Sequence, residues 1–423
     1  MIRVLLMELR RSPLRWWLPA LLLIDLAALF GRSRSWIGVW PETSVAAQVP
    51  SFYFGPALAA AAAWAAGREG RGGAMPATPT STRPRFLPEL LLLTATLVYG
   101  TAVYACGALV AAAVSWSEAG PGFLWPGYLV IGLTVMTGCA AAGQLVGKTI
   151  RSTFLAPSVA GLGSLAVLAW VGSPHAFGLF VLSGSPQAQA APAAVALRVG
   201  LALAAAGLAL TLPDWWQARR SVLFRARSGL AAVGFGALLV ALVAAAPQAG
   251  RVQVSRSAPA QPLCTTTTPK LCIWPEERKY LPKLAALSDR IALLPAGLFV
   301  VPDAFYEQGL RGPAHQYTDF PISEGSVWTV AESISIQILS ATAPPRCKNL
   351  TEANTERMVK ASWELGRWLN VTITGGPQPD DVHGGPPGLD TASIDQLAAG
   401  APQAEQISWV NERLSVLREM PCA

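Results

Sequence analysis

The stretch GYLVIGLTVMTGCAAAGQLVGKT, residues 127 to 149, decides how the rest of the chain is interpreted. Its apolar part is long enough to cross a lipid bilayer, which takes about 20 apolar residues. Gly143 and Gly147 form a G-x-x-x-G pattern, which is typical of a helix face that another helix approaches closely. Lys148 directly after it predicts a basic anchor at the cytoplasmic surface of the membrane.

The end of that stretch, GQLVGKT, is similar to a phosphate-binding loop but does not have the number of residues that the motif requires between its two glycines. The motif is G-x-x-x-x-G-K-[ST], in which four spacers let backbone N–H groups surround the phosphates. Only three residues separate Gly143 from Gly147, and Ala142 stands where the first glycine is needed. We therefore expect no ATP site in this chain, and no cofactor.

The composition indicates an integral membrane protein. Of the 423 residues, 52% are hydrophobic and 13% are charged, whereas about a quarter of an ordinary soluble protein is charged. The net charge of +7 is spread in short clusters between apolar runs, which argues against a nucleic-acid partner. The lipid bilayer is the partner that this composition predicts.

Hydropathy predicts an all-α, polytopic membrane protein with seven spans. The first span is expected to be retained, because no small-x-small cleavage site follows it. The predicted spans are Leu14 to Phe30, Phe52 to Gly67, Leu87 to Val114, Tyr128 to Gly147, Leu155 to Val171, Ala194 to Leu212, and Gly229 to Ala246.

Basic residues predict the orientation, because loops rich in Lys and Arg stay in the cytoplasm. They concentrate before the first span and in alternate loops, as Arg3, Arg10, Arg11, Arg15, Arg68, Arg71, Arg83, Arg85, Lys148, Arg151, Arg219, Arg220, Arg225 and Arg227. The N-terminus is therefore expected in the cytoplasm of a bacterial cell, and everything after the seventh span outside the cell membrane.

Four parts follow from these assignments. Residues 1 to 13 form an amphipathic elbow helix in the cytoplasmic interface, residues 14 to 228 the six-span domain, residues 229 to 247 the seventh span, and residues 250 to 423 a mainly helical extracytoplasmic domain with short strands. Between the fifth and sixth spans, Ala176 to Leu182 is too short to span and is predicted to be a re-entrant or interfacial half-helix. A plain outer loop is the alternative.

Four cysteines, Cys264, Cys272, Cys347 and Cys422, fall in the predicted extracytoplasmic domain. An oxidising compartment favours two disulfides among three pairings. We favour Cys264 with Cys272 and Cys347 with Cys422; isolated buried thiols are the alternative.

Two ionisable residues lie inside predicted spans, Asp25 in the first and Arg198 in the sixth. Residues at such depth usually face protein and pair, so their similar depth predicts an ion pair. In the alternative, Arg198 extends toward the interface and Asp25 meets Arg32 or water. Neither arrangement implies catalysis.

No catalytic or metal-binding motif stands out. Glu276, Glu277, Asp380, Asp381 and His383 lack the spacing of a metal or hydrolase motif such as H-E-x-x-H. The chain has three histidines, so few residues could serve as the base of a Ser-His-Asp triad. We expect the chain not to be an enzyme.

The N-terminal half resembles the membrane subunits of ABC-2 type ABC exporters. The elbow VLLMELRRSPLRWW and the inner loop AGREGRGGAMPATPTSTRPRFLPELL carry the resemblance. That loop is similar to the family pattern E-R-x-x-G-T-x-x-x-L-x-x-T-P-x-S-R-x-x. The corresponding residues are Arg68, Glu69, Thr78, Pro79, Ser81 and Arg83. A seventh span and a large outer domain are additions, as in similar chains of actinobacteria.

The resemblance implies a permease subunit with a six-helix core. Its partners would be a second permease subunit, identical or different, and a separate cytoplasmic ATP-binding subunit that hydrolyses ATP. Arg10 and Arg11 on the elbow, with residues 68 to 86, would form the surface that this ATPase contacts. The main alternative is a non-transporting sensor or immunity protein whose outer domain binds a ligand or partner. A membrane-bound hydrolase is the weakest interpretation, because it lacks a site.

Overall fold

A computed structural model describes residues 2–32, 34–71, 86–150, 152–170, 172, 178–212, 222–315, 317–343, 351–377 and 390–419. The chain divides into two compact units, Met1–Ser255 and Arg256–Ala423. We call these the N-terminal unit and the C-terminal unit. The sequence placed the boundary close by, near residue 250.

The N-terminal unit is helical apart from one two-stranded pairing. Its helices are α1 Ile2–Arg11, α2 Leu14–Phe30, α3 Trp40–Gln48, α4 Ser51–Arg71, α5 Phe86–Ser115, α6 Pro126–Thr149, α7 Leu155–Trp170, α8 Pro192–Thr211 and α9 Val222–Ala245. One of these helices thus accounts for most of each of the seven predicted spans. The short helix α3 was not predicted.

Fewer helices than seven meet strict criteria of length and hydropathy for a membrane span. Among the described residues, four do so: α5, α6, α8 and the helical segment Gly229–Ala249. The pair α1 and α2, bent by 70° at Ser12 and Pro13, would make a fifth, and α7 is apolar but short. The chain is therefore a mainly helical protein whose apolar helices suit a membrane.

Helices α4 and α6 pack with their backbones in close contact through small residues. A Cβ atom added at Gly143 would lie 2.0 Å from the carbonyl oxygen of Ala59, and one at Gly147 would lie 2.3 Å from that of Ala63. One turn earlier, a Cβ at Gly55 would lie 2.9 Å from Cys139 Sγ. The G-x-x-x-G face predicted on α6 is therefore a real contact face.

The register of these contacts fixes the direction of the helices. Each step of four residues along α4 matches a step of four along α6, so the two helices run parallel. Helix α5 connects them and must run in the opposite direction. Helices α8 and α9 are antiparallel, because Gly200 contacts Leu242 and Gly207 contacts Phe235. The long helices thus alternate in direction, as a multi-pass chain requires.

The bundle has two ends that differ in their contacts. We call the end that holds α1, the C-terminus of α4 and the N-terminus of α5 the α1 end. The other, which holds α3 and the N-termini of α4 and α6, is the α3 end. Between them, Phe54, Leu58, Val103 and Met136 are buried in a common apolar core.

The α3 end is closed by a short helix and a loop joined through hydrogen bonds. On α3, Ser44 Oγ accepts from the Trp125 backbone N–H at 2.7 Å, and Thr43 shares a 2.9 Å hydrogen bond with Ser115. Gln48 Oε1 accepts from the Val181 N–H at 2.9 Å. These buried polar groups are satisfied by one another, so α3 is held inside the bundle.

The predicted half-helix at Ala176 to Leu182 is not helical where the structure describes it, at residues 178–182. The Leu179 N–H donates to the Gly172 carbonyl oxygen and the Val181 N–H donates to Gln48 Oε1, each at 2.9 Å, and neither bond belongs to a helical ladder. After it, strand β1, Ala188–Ala190, pairs antiparallel with β2, Gln253–Ser255. Ala176 belongs to the range 173–177, which lies outside the described residues.

The C-terminal unit packs helices around a small mixed sheet. Strand β3, Leu263–Cys264, pairs antiparallel with β4, Lys270–Ile273, and β5, Ala304–Tyr306, pairs parallel with β4. The helices are α10 Leu281–Ala292, α11 Val327–Thr342, α12 Glu352–Thr374, α13 Thr391–Gly400 and α14 Gln403–Arg418.

The C-terminal helices begin where the sequence provides capping residues. Ser326, Thr351 and Asp390 each accept a backbone N–H three residues ahead, at the starts of α11, α12 and α13. Trp274 and Phe305 of this unit are fully buried. The unit has an apolar core of its own.

A single methyl group tests the α4–α6 contact. We expect Gly143→Ala to destabilise the protein by about 1–3 kcal/mol, because the added Cβ overpacks against the Ala59 backbone. Gly138→Ala on the same helix is the control, since a Cβ there meets nothing within 4 Å and alanine favours the helix. Thermal unfolding in detergent measures both, and equal melting temperatures would contradict the contact.

Candidate functional site

Helix α1 is fixed to the bundle at two points. Glu8 forms an ion pair with Arg68 near the C-terminus of α4, with 2.6 Å between Oε2 and Nη2. The hydroxyl of Tyr99 on α5 donates to the Leu9 carbonyl oxygen at 2.9 Å. A displacement of α1 would therefore act directly on α4 and α5.

The outer side of α1 is exposed and carries both charge and apolar surface. Arg10 and Arg11 are exposed in the last turn, where basic residues also suit the negative end of the helix dipole. Ile2 and Leu6 are 75% and 50% exposed. An amphipathic helix of this kind lies in a membrane interface or against a partner.

The structure describes part of the predicted coupling surface. It places Arg10, Arg11 and Arg68 at the α1 end, with Arg68 in contact with α1. Glu69 lies within α4, but its side chain is not among those described. Thr78, Pro79, Ser81 and Arg83 lie outside the described residues, so their part in the surface stays a prediction.

Lys148 is not the surface anchor that the sequence predicted, because its side chain is buried. Its Nζ donates to the carbonyl oxygens of Ala209 at 2.7 Å and Leu212 at 3.2 Å, at the end of α8. It also lies 3.2 Å from Glu89 Oε2 on α5, and Glu89 accepts from Gln144. Lys148 thus joins α5, α6 and α8 at the α1 end.

The sequence contained one signal for this contact, which is Glu89 at the start of the third predicted span. A carboxylate at the end of an apolar helix calls for a partner, and Lys148 is a cation at the same predicted depth. Only the structure shows that Lys148 turns inward, where the last carbonyls of α8 stabilise its charge.

The structure corrects the predicted ion pair between Asp25 and Arg198. Arg198 donates to the carbonyl oxygens of Gly178 and Ala194, each at 2.7 Å. Asp25 lies against Gly107 on α5, and its Oδ2 has no hydrogen-bond partner. Similar depth did not bring the two side chains together, because they face different neighbours around their helix axes.

The predicted disulfide between Cys264 and Cys272 is confirmed, and it links β3 to β4. Cys347 and Cys422 lie outside the described residues. Cys106 and Cys139 are unpaired thiols in the helices.

Two glutamates are buried together in the C-terminal unit. Glu277 and Glu307 are each 3% exposed, and their side chains are hydrogen bonded. Glu307 Oε2 also accepts from the Trp274 N–H at 2.9 Å. Burial is the main cause that raises the pKa of Glu307 to about 7, and the nearby charge of Glu276 raises it further.

The sequence drew attention to Glu276 and Glu277 but missed Glu307, which is distant in the chain and becomes a neighbour only through the sheet. Asp380, Asp381 and His383 lie outside the described residues. In the part of the chain that is described, no group of three or more His, Cys, Asp or Glu side chains could hold a metal ion.

No protein family, curated protein or solved structure matches this chain. The contacts within the chain and the pattern of its sequence are therefore the basis for assigning a function.

Removing Lys148 tests the buried contact at the α1 end. Lys148→Met should destabilise the protein by about 1–3 kcal/mol, because Glu89 and the α8 carbonyls lose their partner. The double variant with Glu89→Gln should recover part of that loss, since no uncompensated carboxylate remains. Lys360→Met, at an exposed position, is the control. Equal losses in the single and double variants by thermal unfolding would contradict the ion pair.

The raised pKa of Glu307, which is buried beside Glu277, leads us to expect that the stability of the protein depends on pH. The unfolded chain loses the Glu307 proton near its ordinary pKa of 4.5, whereas the folded chain keeps it up to about 7. Stability should therefore fall as pH rises between these values, by roughly 1.4 kcal/mol per pH unit for one proton. Above pH 7 this effect should level off.

Glu307→Gln should remove the contribution of Glu307 to that dependence and leave a shallower pH profile, because glutamine stays neutral and can still accept from the Trp274 N–H. Urea unfolding followed by tryptophan fluorescence at several pH values measures it. Glu332→Gln, at an exposed position on α11, should keep the dependence of the native chain. A Glu307→Gln variant with an unchanged pH profile would show that another group is responsible.

Proposed function

We propose that this chain is the membrane-spanning permease subunit of an ABC-type exporter, driven by a separate ATP-binding subunit. The observation that carries the proposal is the attachment of the amphipathic helix α1 to α4 and α5, through Glu8 with Arg68 and Leu9 with Tyr99. A force applied to α1 would be transmitted through these two contacts to α4 and α5.

The distribution of charge supports an α1 end that faces the cytoplasm. The described basic residues of the N-terminal unit lie mostly at that end: Arg3, Arg10, Arg11, Arg15, Arg68 and Lys148. Loops with an excess of Lys and Arg stay inside the cell. The ATP-binding subunit would then contact the exposed Arg10 and Arg11.

Packing explains how force at α1 would reach the bundle. Helices α4 and α6 touch along three successive turns, backbone against backbone at Gly143 and Gly147 and through the Cys139 side chain at Gly55, so a displacement of α4 moves α6 with it. Lys148 extends the connection to α8. The α1 end is thus linked across the bundle, while the α3 end is closed by α3 and the loop at residues 178–187. Export requires this closure to open.

A second permease subunit, identical or different, would complete the translocation path. Among the four described segments that meet the criteria for a span, Gly229–Ala249, which contains most of α9, is the least buried within the chain, at 6%. Such an apolar surface suits contact with lipid or with a second subunit in a membrane.

The second candidate function is a non-transporting sensor or immunity protein. It is favoured by the C-terminal unit, which has its own sheet, apolar core and disulfide. A unit of this kind folds around its own core and can bind a ligand while the helices serve as an anchor.

Co-purification tests the permease function directly. The chain, tagged at its C-terminus, should elute from its native membrane in mild detergent together with an ATP-binding subunit and ATPase activity. We expect Arg10→Glu with Arg11→Glu to lose that subunit, because both charges on the contact surface are reversed.

Arg357→Glu with Lys360→Glu on α12 is the matched control, since it makes the same change of charge at exposed positions of the C-terminal unit. It should keep the subunit. Size-exclusion chromatography checks that both variants are folded. Elution of the native chain without any ATPase would contradict the permease function and favour the sensor.

A further inference from the structure

Asp25 is a buried acid in the apolar helix α2. Its side chain is 1% exposed, and it lies a little over one turn from the end of the helix at Phe30. An ionisable group at such a position is rare and usually functional. The corrected position of Arg198 leaves the role of Asp25 open.

The carboxyl group occupies a space that a glycine provides. A Cβ atom added at Gly107 on α5 would lie 2.1 Å from Asp25 Oδ2 and 2.6 Å from Oδ1. The carboxyl therefore packs directly against the α5 backbone. Helices α2 and α5 can be this close only because residue 107 has no side chain.

The described neighbours offer Asp25 no positive charge. Its Oδ2 is buried without a hydrogen-bond partner. The titratable group that faces it is Tyr104 on α5, and the Tyr104 hydroxyl donates its one hydrogen to the Leu129 carbonyl oxygen at 3.1 Å. Arg198 donates to Gly178 and Ala194.

An ionised carboxylate in this place would be costly. Moving an unpaired charge out of water into an apolar interior costs several kcal/mol or more, and a buried acid avoids the cost by keeping its proton. The neutral acid fits a buried Oδ2 that has no hydrogen-bond partner, whereas the anion would require a donor or a cation at that oxygen.

We propose that Asp25 is a proton-binding site of the membrane bundle, loaded while α2 packs against Gly107 and discharged when α2 separates from α5. The ligand is a proton. Separation would let water reach the carboxyl, which then releases its proton to that water.

The proposed function suggests what would drive this separation. Helix α2 follows directly from α1, with a bend of 70° between them, so a push on α1 would also displace α2. Only this coupling rests on the proposed function. The proton-binding site itself rests on the contacts of Asp25.

Infrared spectroscopy of the purified full-length chain tests the site. At about pH 6, where exposed carboxylic acids are ionised, the native chain labelled with carboxyl-13C-aspartate should show the isotope-shifted C=O stretching band of a protonated aspartic acid. The band should disappear in Asp25→Asn and remain in Asp289→Asn, an exposed control on α10. The isotope shift separates this band from that of a protonated glutamate without any variant.

A native chain that shows no isotope-shifted acid band would overturn the proposal, because Asp25 would then be ionised. A double-variant experiment gives a second readout. Gly107→Ala should strongly destabilise the native chain and should be tolerated in Asp25→Ala, where the space is vacated. Equal destabilisation in both backgrounds would also overturn it.

These results are independent of the partner. If the acid band is present but the chain purifies without an ATPase, the proton site stands and the coupling to α1 is rejected together with the permease function.

Discussion

The structure depends on the contact between the backbones of α4 and α6. Gly143 and Gly147 lie directly against the backbone at Ala59 and Ala63, and Gly55 makes room for the Cys139 side chain. Their shared four-residue step makes the helices parallel, so α5 must return between them. In a membrane, where apolar side chains gain little by leaving lipid, such close packing is a main source of helix association. The remaining helices arrange themselves around this pair.

Polar groups inside the bundle follow a consistent rule, since almost every one named above has a partner on another element. Gln48 accepts a hydrogen bond from the Val181 N–H, Arg198 donates to the Gly178 carbonyl oxygen, and Lys148 donates to the Ala209 carbonyl oxygen near the end of α8. Each contact joins elements that are distant in sequence, so polar side chains close both ends of the bundle. Asp25 departs from the rule, because one of its oxygens is buried without a partner. Gln144 Oε1 is also buried without a partner, but the Gln144 amide donates to Glu89 on α5, so Asp25 is the residue for which we propose a function.

Much of the helical framework could be predicted because long apolar runs have few alternatives in a membrane protein. The glycine face on α6 could also be predicted, from its four-residue spacing, and the Cys264–Cys272 disulfide from the short separation of the two cysteines in the chain.

Helix α3, WPETSVAAQ, was missed because it is neither long nor apolar. It is buried through hydrogen bonds to elements that are distant in sequence, so the sequence of the helix alone does not indicate its burial. Asp25 and Arg198 were paired on depth alone, and depth does not specify the direction in which a side chain leaves its helix. Lys148 and Glu307 needed tertiary contacts for the same reason. The residues from 72 to 85, which carry most of the predicted coupling surface, lie outside the described part of the chain.

Disulfide crosslinking measures the α4–α6 register most directly. In a chain with Cys106, Cys347 and Cys422 replaced by serine, Gly55→Cys should form a disulfide with the native Cys139 on mild oxidation in the membrane, and peptide mass spectrometry should identify the linked pair. Ala57→Cys, which faces the opposite core cluster, should not. A link from position 57, or none from position 55, would contradict the parallel packing on which this account rests.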